Sequence, residues 1–477
     1  MERKSIWEFY TDEQLAEMEI FTKNYRNFLD NGKTERECIE NTVNLIEAVG
    51  YRDLNKLITA KTKLTAGDKV YSVLMNKTII MYRLGTAPLS EGLNILGAHV
   101  DSPRLDIKQN PLYEEDGIAY LDTHYYGGVK KYQWVTIPLA LHGVVVKKDG
   151  TTTIINIGEE SDDPVFFVSD LLPHLASEQM EKKANKVIEG EALDIIVGNK
   201  PIVLNNENSE APATPEAAAK DAVKKGILEI LKENYDIEEE DFISAELEVV
   251  PAGCAREAGF DRSMILAYGQ DDRVCAFASL TAMLENHDVK RTSCLIFSDK
   301  EEIGSVGATG MHSRFFENTL AELLGLVGEY SDLLLRRALA SSYMLSADVG
   351  AAYDPFYKAS FDKRNSAVLS GGVIFKKYTG ARGKSGSNDA NAEYLAYLRK
   401  LMEEHNIRFQ TAELGKVDAG GGGTIAYILA NLGMNVIDSG VPVMNMHAPW
   451  EATSKADVYE AKRAYAAFLR GDGLASI

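Results

Sequence analysis

Apolar positions along the chain fall into four textures. From Thr11 to about residue 60 they recur at helical spacing: Thr11-Asp12-Glu13-Gln14 reads as a helix start, and Leu15 to Leu29 and Cys38 to Val49 carry apolar residues on one helical face. From Lys69 the pattern changes to Val-, Tyr- and Ile-rich runs, Val70 to Met75 and Thr78 to Leu84, separated by Asn76-Lys77, which predicts a hairpin. The continuous apolar run Leu93 to Val100 predicts a buried strand ending in His99-Val100-Asp101.

Between about Leu105 and Val249 the pattern breaks into short strand-like pieces, Trp134 to Ile137, Gly143 to Lys147 and Thr152 to Ile157, divided by glycines and charged turns. This predicts an inserted β-rich module at 106–249, flanked by 1–105 and 250–477. Within it Asn205 to Pro215 is polar and Pro-containing, as exposed loops and linkers are, and Ala217 to Asn234 predicts a closing helix. After Pro251 strands and helices alternate: Met264 to Tyr268, helix Val274 to Asn286, Ser293 to Ser298, then strands ending near Asp348 and His447. Such alternation predicts an α/β fold, with a mixed or largely parallel sheet covered by helices on both faces.

Composition narrows the function. With 45% apolar and 26% charged residues among 477, the chain buries a substantial core and is not disordered as a whole. Lys plus Arg number 51 against 71 Asp plus Glu, a formal charge of −20, which argues against nucleic acid as a partner. The start of the chain lacks the apolar stretch of an export signal, and no apolar run is long enough to span a membrane, so a cytoplasmic protein is expected. Cys38, Cys254, Cys275 and Cys294 form no CxxC pair and are expected as reduced thiols.

Candidate chemistry gathers at predicted strand ends, where open α/β sheets collect functional groups. In His99-Val100-Asp101, Asp101 is placed to accept a hydrogen bond from His99 and fix its tautomer, leaving the other nitrogen for a metal. Asp271-Asp272-Arg273 sits between a strand and a helix, where a carboxylate either caps the helix or bridges two cations. Asp299-Lys300-Glu301-Glu302-Ile303-Gly304 offers two adjacent glutamates, one suited to a metal and one to a water's proton. Asp348 and His447 end later strands, and the whole N/O set suits Zn²⁺, Mn²⁺ or Co²⁺. Each cluster alone also has an ordinary structural reading, as a satisfied histidine, an N-cap pair or a solvated turn.

The ordered set Gly97-Ala98-His99-Val100-Asp101-Ser102-Pro103-Arg104-Leu105-Asp106, Asp271-Asp272-Arg273, Asp299 to Ser305, Ser346-Ala347-Asp348 and Met446-His447 resembles the aspartyl aminopeptidase family, which includes the vacuolar aminopeptidase I type. The resemblance spans nearly the whole chain. It implies a zinc-peptidase α/β/α sandwich interrupted by a β-rich dimerisation domain, peptide substrates, two Zn²⁺ per subunit, and a homo-oligomer built from dimers, up to a dodecamer. It also implies that His99, Asp271 and Asp348 hold one metal and Asp271, Glu302 and His447 the other, with Glu301 as general base and Asp272 beside the ligands or capping. His174, in Leu172-Pro173-His174-Leu175-Ala176, is implied as a substrate contact in a neighbouring subunit or as a metal ligand, although Ser177-Glu178 departs from the histidine that better-known members carry next.

Lys384 and Arg382 occupy the loop where acidic-specific members carry a lysine, with different local spacing, so both acidic and neutral preferences are open. Gly423 and Thr424, in a glycine-rich turn that the resemblance places beside the site, are candidate substrate contacts. Gly380 to Ser385 resembles the end of a phosphate loop but has Tyr378 where its first glycine belongs. The rival functions are a dinuclear-metal deacylase of N-acyl amino acids, a noncatalytic scaffold of the same fold, and a nucleotide binder.

Overall fold

The computed structural model describes residues 5–201, 221–287, 289–381 and 383–473. They form two compact units: Met1–Ser102 with Ala255–Met446 and Trp450–Ile477, and Pro103–Cys254 with His447–Pro449.

The first unit is organised by a nine-stranded mixed sheet in the order Arg52–Asp53, Lys69–Leu74, Thr78–Arg83, Thr292–Ser298, Leu93–His99, Tyr343–Ser346, Asn435–Gly440, Val373–Lys376, Phe409–Thr411. We call Leu93–His99 β1, Thr292–Ser298 β2, Tyr343–Ser346 β3, Val373–Lys376 β4 and Asn435–Gly440 β5. The run β2-β1-β3-β5 is wholly parallel, so these four strands end on one edge. Side chains alternate between two cores. Leu96, Ala98, Leu295, Phe297, Leu345 and Ile437 pack with helices Asp12–Asn31, Gln270–Leu284 and Lys455–Arg470, whereas Ile95, Cys294, Ile296, Met344 and Val436 pack with Phe315–Val327, Asp332–Ala340 and Ala426–Ala430. The near-continuous apolar runs of the parallel strands follow from burial on both faces. The first helix starts as its sequence implies, with the Thr11 side chain and Gln14 forming a reciprocal capping box. A smaller five-stranded sheet carries Met264–Ala267, Glu451–Ser454 and Pro442–Met444.

The second unit is built on a six-stranded antiparallel sheet that includes Leu139–Val146, Thr152–Ile157 and Ala245–Pro251. The strand expected at Trp134 to Ile137 is absent. A short turn, Lys131–Gln133, ends at the fully buried Trp134, Thr136 adopts a left-handed φ of 62°, and Pro138 lacks the amide needed to continue a ladder, so pairing begins at Leu139. Two long strands, Arg104–Glu115 and Ile118–Tyr126, escape the pattern because their polar residues resemble turns. The expected loop Asn205 to Pro215 and the first residues of the expected closing helix lie outside the described residues; the helix is seen over Ala222–Tyr235.

Candidate metal centre

His99 is the last residue of β1 and is almost fully buried. Its Nδ1 lies 3.0 Å from the Asp101 carbonyl oxygen and 3.3 Å from Asp101 Oδ1, which makes Nδ1 the protonated nitrogen. Nε2 is then the nitrogen that could ligate a metal, and it lies 3.3 Å from Asp271 Oδ1 and 3.9 Å from Glu301 Oε2.

Asp101 does more than orient the ring. Its carboxylate spans the loop after β2, accepting the Glu301 amide on Oδ1 and the Glu302 amide on Oδ2, each at 3.1 Å. That loop reverses tightly, with Lys300 left-handed at φ 68° and Gly304 at φ 96° on either side of the turn Glu301–Ile303. Asp299 steadies it by accepting the Lys300 amide and the Thr309 hydroxyl. One aspartate therefore ties His99 and both glutamates together.

Asp271 precedes the regular part of its helix. Its amide donates to Glu451 Oε2 at 3.0 Å, its carbonyl accepts the Ser102 hydroxyl at 2.8 Å, and the Asp271–Asp272 peptide is cis. Neither aspartate has helical backbone angles, and the regular helix begins after them. Asp272 accepts the His99 amide on its Oδ2 at 3.4 Å. Asp348 lies two residues past β3 and is buried.

His99, Asp271 and Asp348 each offer a ligand atom within 4.8 Å of one another, and so do His99, Glu301 and Glu302. Ligands about 2.1 Å from a tetrahedral zinc lie about 3.4 Å apart, so the 3.3 Å between His99 Nε2 and Asp271 Oδ1 fits one ion. The electrostatics ask for a cation. Burial, then the charges of Asp348, Asp101 and Asp271, push the Glu301 carboxyl up to about 8 against the opposing pull of His99. Asp348 is pushed up to about 6, again chiefly by burial. A buried imidazole among several carboxylates is a donor set that fits a divalent metal.

His447 follows the strand Pro442–Met444 by three residues, with a left-handed φ of 64°. In the second unit its Nδ1 lies 3.0 Å from the Gly128 carbonyl oxygen, again making Nε2 the nitrogen for a metal. His174 is exposed on that unit. Arg382 lies outside the described residues. Lys384 Nζ is engaged by Asp389 at 3.0 Å and lies 3.8 Å from the centre of the Tyr378 ring. Its loop closes on itself through an Ala381–Ser385 bridge, and the next helix begins only at Ala392, which removes the phosphate-loop reading. In the glycine-rich turn, Gly421 at φ 133° would carry a Cβ 2.4 Å from Ala381 Cα, so only glycine fits there. Gly423 is exposed, whereas Thr424 is buried and accepts the Ala426 amide at 3.3 Å. Sequence reasoning passed over Glu451, which supports Asp271, and over Lys376 and Asp438; a single Asp inside the apolar run Val436-Ile437-Asp438 was the available signal.

Residues 28–469 match the family model described as aminopeptidase I zinc metalloprotease (M18). The chain is 57% identical over 468 residues to the probable M18 family aminopeptidase 1 of Clostridium acetobutylicum, covering 98% of both chains. Among solved structures it is similar to aminopeptidase I of that organism, with a TM-score of 0.90 at 55% identity over 99% of this chain and 100% of the other. The M18 aminopeptidase of Thermotoga maritima gives 0.91 at 44%, over 98% and 99%. The S. cerevisiae mApe1 dodecamer shares the fold at 0.74 and 19% identity, over 95% and 97%. No helix of the described residues is long and apolar enough to cross a membrane. The chain therefore belongs to the M18 family of aminopeptidase I zinc metalloproteases and is a metalloaminopeptidase.

Proposed function

We propose that this enzyme removes residues from free peptide N-termini with two zinc ions, one held by His99, Asp271 and Asp348 and one by Asp271, Glu302 and His447, with Glu301 as the general base. The observation that carries the reading is the Asp101 carboxylate, which holds Glu301 and Glu302 side by side on one loop while engaging His99. When bound, zinc would supply Lewis-acid polarisation of the scissile carbonyl and bring the pKa of water towards neutrality. Glu301 would take the proton of the attacking water and return it to the leaving amine. A carboxylate of the cluster would pair with the substrate's α-ammonium, which restricts cleavage to the first residue.

An acidic N-terminal preference needs a local cation, and the Lys384–Asp389 pair supplies a largely neutralised one. Hydrolysis of aminoacyl-p-nitroanilides is therefore expected to favour neutral residues such as Leu over Asp and Glu, and N-acetylated peptides are expected to be inert. A preference for Asp or Glu would restore Lys384 and Arg382 as specificity residues, and cleavage of acetylated substrates would favour the deacylase. His174 as a substrate contact in a neighbouring subunit, and Gly423 and Thr424 as contacts within one chain, belong to the same proposal. So does a cytoplasmic homo-oligomer assembled from dimers through the second unit, supported by its exposed Leu171, Leu172, Leu175 and Met180.

The charge cluster also sets a pH dependence. In zinc-free protein the folded-state pKa values of Glu301 and Asp348, about 8 and about 6, exceed those of the unfolded chain, so the folded state binds more protons and loses stability as pH rises through that window. Thermal melts should show zinc-free protein less stable at pH 8 than at pH 5.5, with the trend removed by zinc. A zinc-free protein that gains stability over the same range would contradict the cluster's electrostatics.

A further inference from the structure

Three adjacent strands set polar residues side by side next to the chain that carries Asp348. Ser346, at the end of β3, is the register partner of Asp438 on β5, and Asp438 is the partner of Lys376 on β4. Directly paired residues share a sheet face, so hydroxyl, carboxylate and ammonium form one row. Ser346 and Asp438 are fully enclosed, and Lys376 is 6% exposed. A lysine this buried needs partners. Its Nζ donates to the Val349 carbonyl oxygen at 2.9 Å, one residue past Asp348. Its stem reaches the backbone after that, where a Cβ on Gly350 would come 4.0 Å from Lys376 Cδ. Burial works to lower the proton affinity of the ammonium, and the charges of Asp348 and Asp438 overcome it, so Lys376 stays charged.

We propose that Lys376, backed by Asp438, is a positioning residue that clamps the chain where it leaves β3 and so holds Asp348 in the orientation that ligates metal. It acts through the Val349 carbonyl rather than on substrate. The inference rests on Asp348 being a ligand, and it extends the metal centre to a residue on a different strand.

The test is zinc retention against a competing chelator, read beside kcat and KM. Lys376→Met removes the charge and the donor but keeps the stem. It should weaken zinc retention about 10- to 100-fold, as loss of a residue supporting a ligand does. kcat should fall with zinc occupancy, KM of the zinc-loaded enzyme should stay unchanged, and Lys376→Arg should recover most of the retention. A folded Lys376→Met protein that keeps zinc as tightly as the parent overturns the proposal. If Lys376→Met does not fold, Lys376→Gln decides in its place, with weakened retention expected and parental retention overturning. Asp348→Asn is measured alongside and should lose zinc. If it does so while Lys376→Met does not, the clamp alone fails; if Asp348→Asn keeps its zinc, the ligand assignment fails and the clamp with it.

Discussion

Glu301→Gln should leave a folded protein with its full zinc content and almost no turnover. Glutamine is nearly isosteric, and the Glu301 amide that Asp101 holds is backbone, so the loop keeps its shape. What is lost is a carboxylate able to accept and return a proton, a contribution worth about 100- to 10,000-fold in rate. Zinc content separates the two glutamates. The side chains of Glu301 and Glu302 both lie in one grouping with His99, so a ligand role for Glu301 is geometrically open. If Glu301 is the base, Glu301→Gln keeps its metal and Glu302→Gln loses some; the reverse pattern in metal analysis would exchange their roles. Glu301→Gln protein with full zinc and parental turnover would remove the base from the mechanism.

Asp271→Asn should abolish activity by a different route. Asp271 is the residue proposed to serve both ions, so an uncharged amide in its place is expected to leave less than one zinc per chain and to lower kcat/KM by at least about 1,000-fold. The fold should survive, because the bonds from Asp271 to Glu451 and Ser102 use its amide and carbonyl, which the substitution retains. Removing one buried negative charge also relieves the repulsion that raises Glu301 and Asp348. Zinc-free Asp271→Asn should therefore melt no lower than zinc-free parent, and adding zinc should raise its melting temperature far less. A destabilised zinc-free variant that still binds two ions would mark Asp271 as structural.

The candidate site was legible in the sequence because its carboxylates and His99 close apolar runs, and apolar runs are the part of a pattern that survives burial on both faces. Their order along the chain then pointed to the family. The exit from β2 was visible as two glutamates, yet not the left-handed Lys300 that aims their amides at Asp101. Register was invisible as well. Lys376 reads as the polar end of Val373-Ile374-Phe375-Lys376, and only its pairing with Asp438, itself the partner of Ser346, brings it near the chain that leaves β3. Lys384 was identified by loop position alone, and the sequence did not show that Asp389 and Tyr378 meet it there. In the second unit, Arg104–Glu115 and Ile118–Tyr126 hid behind their charges, since an antiparallel sheet tolerates polar residues on a solvated face.

The dinuclear zinc mechanism is tested by metal analysis of the purified enzyme, with Leu-p-nitroanilide hydrolysis followed before chelation, after removal of the metal, and after zinc is returned. Two zinc-class ions per chain are expected, with loss of nearly all activity on stripping and recovery in step with zinc up to two equivalents. Full activity in protein from which all metal has been removed would contradict that mechanism.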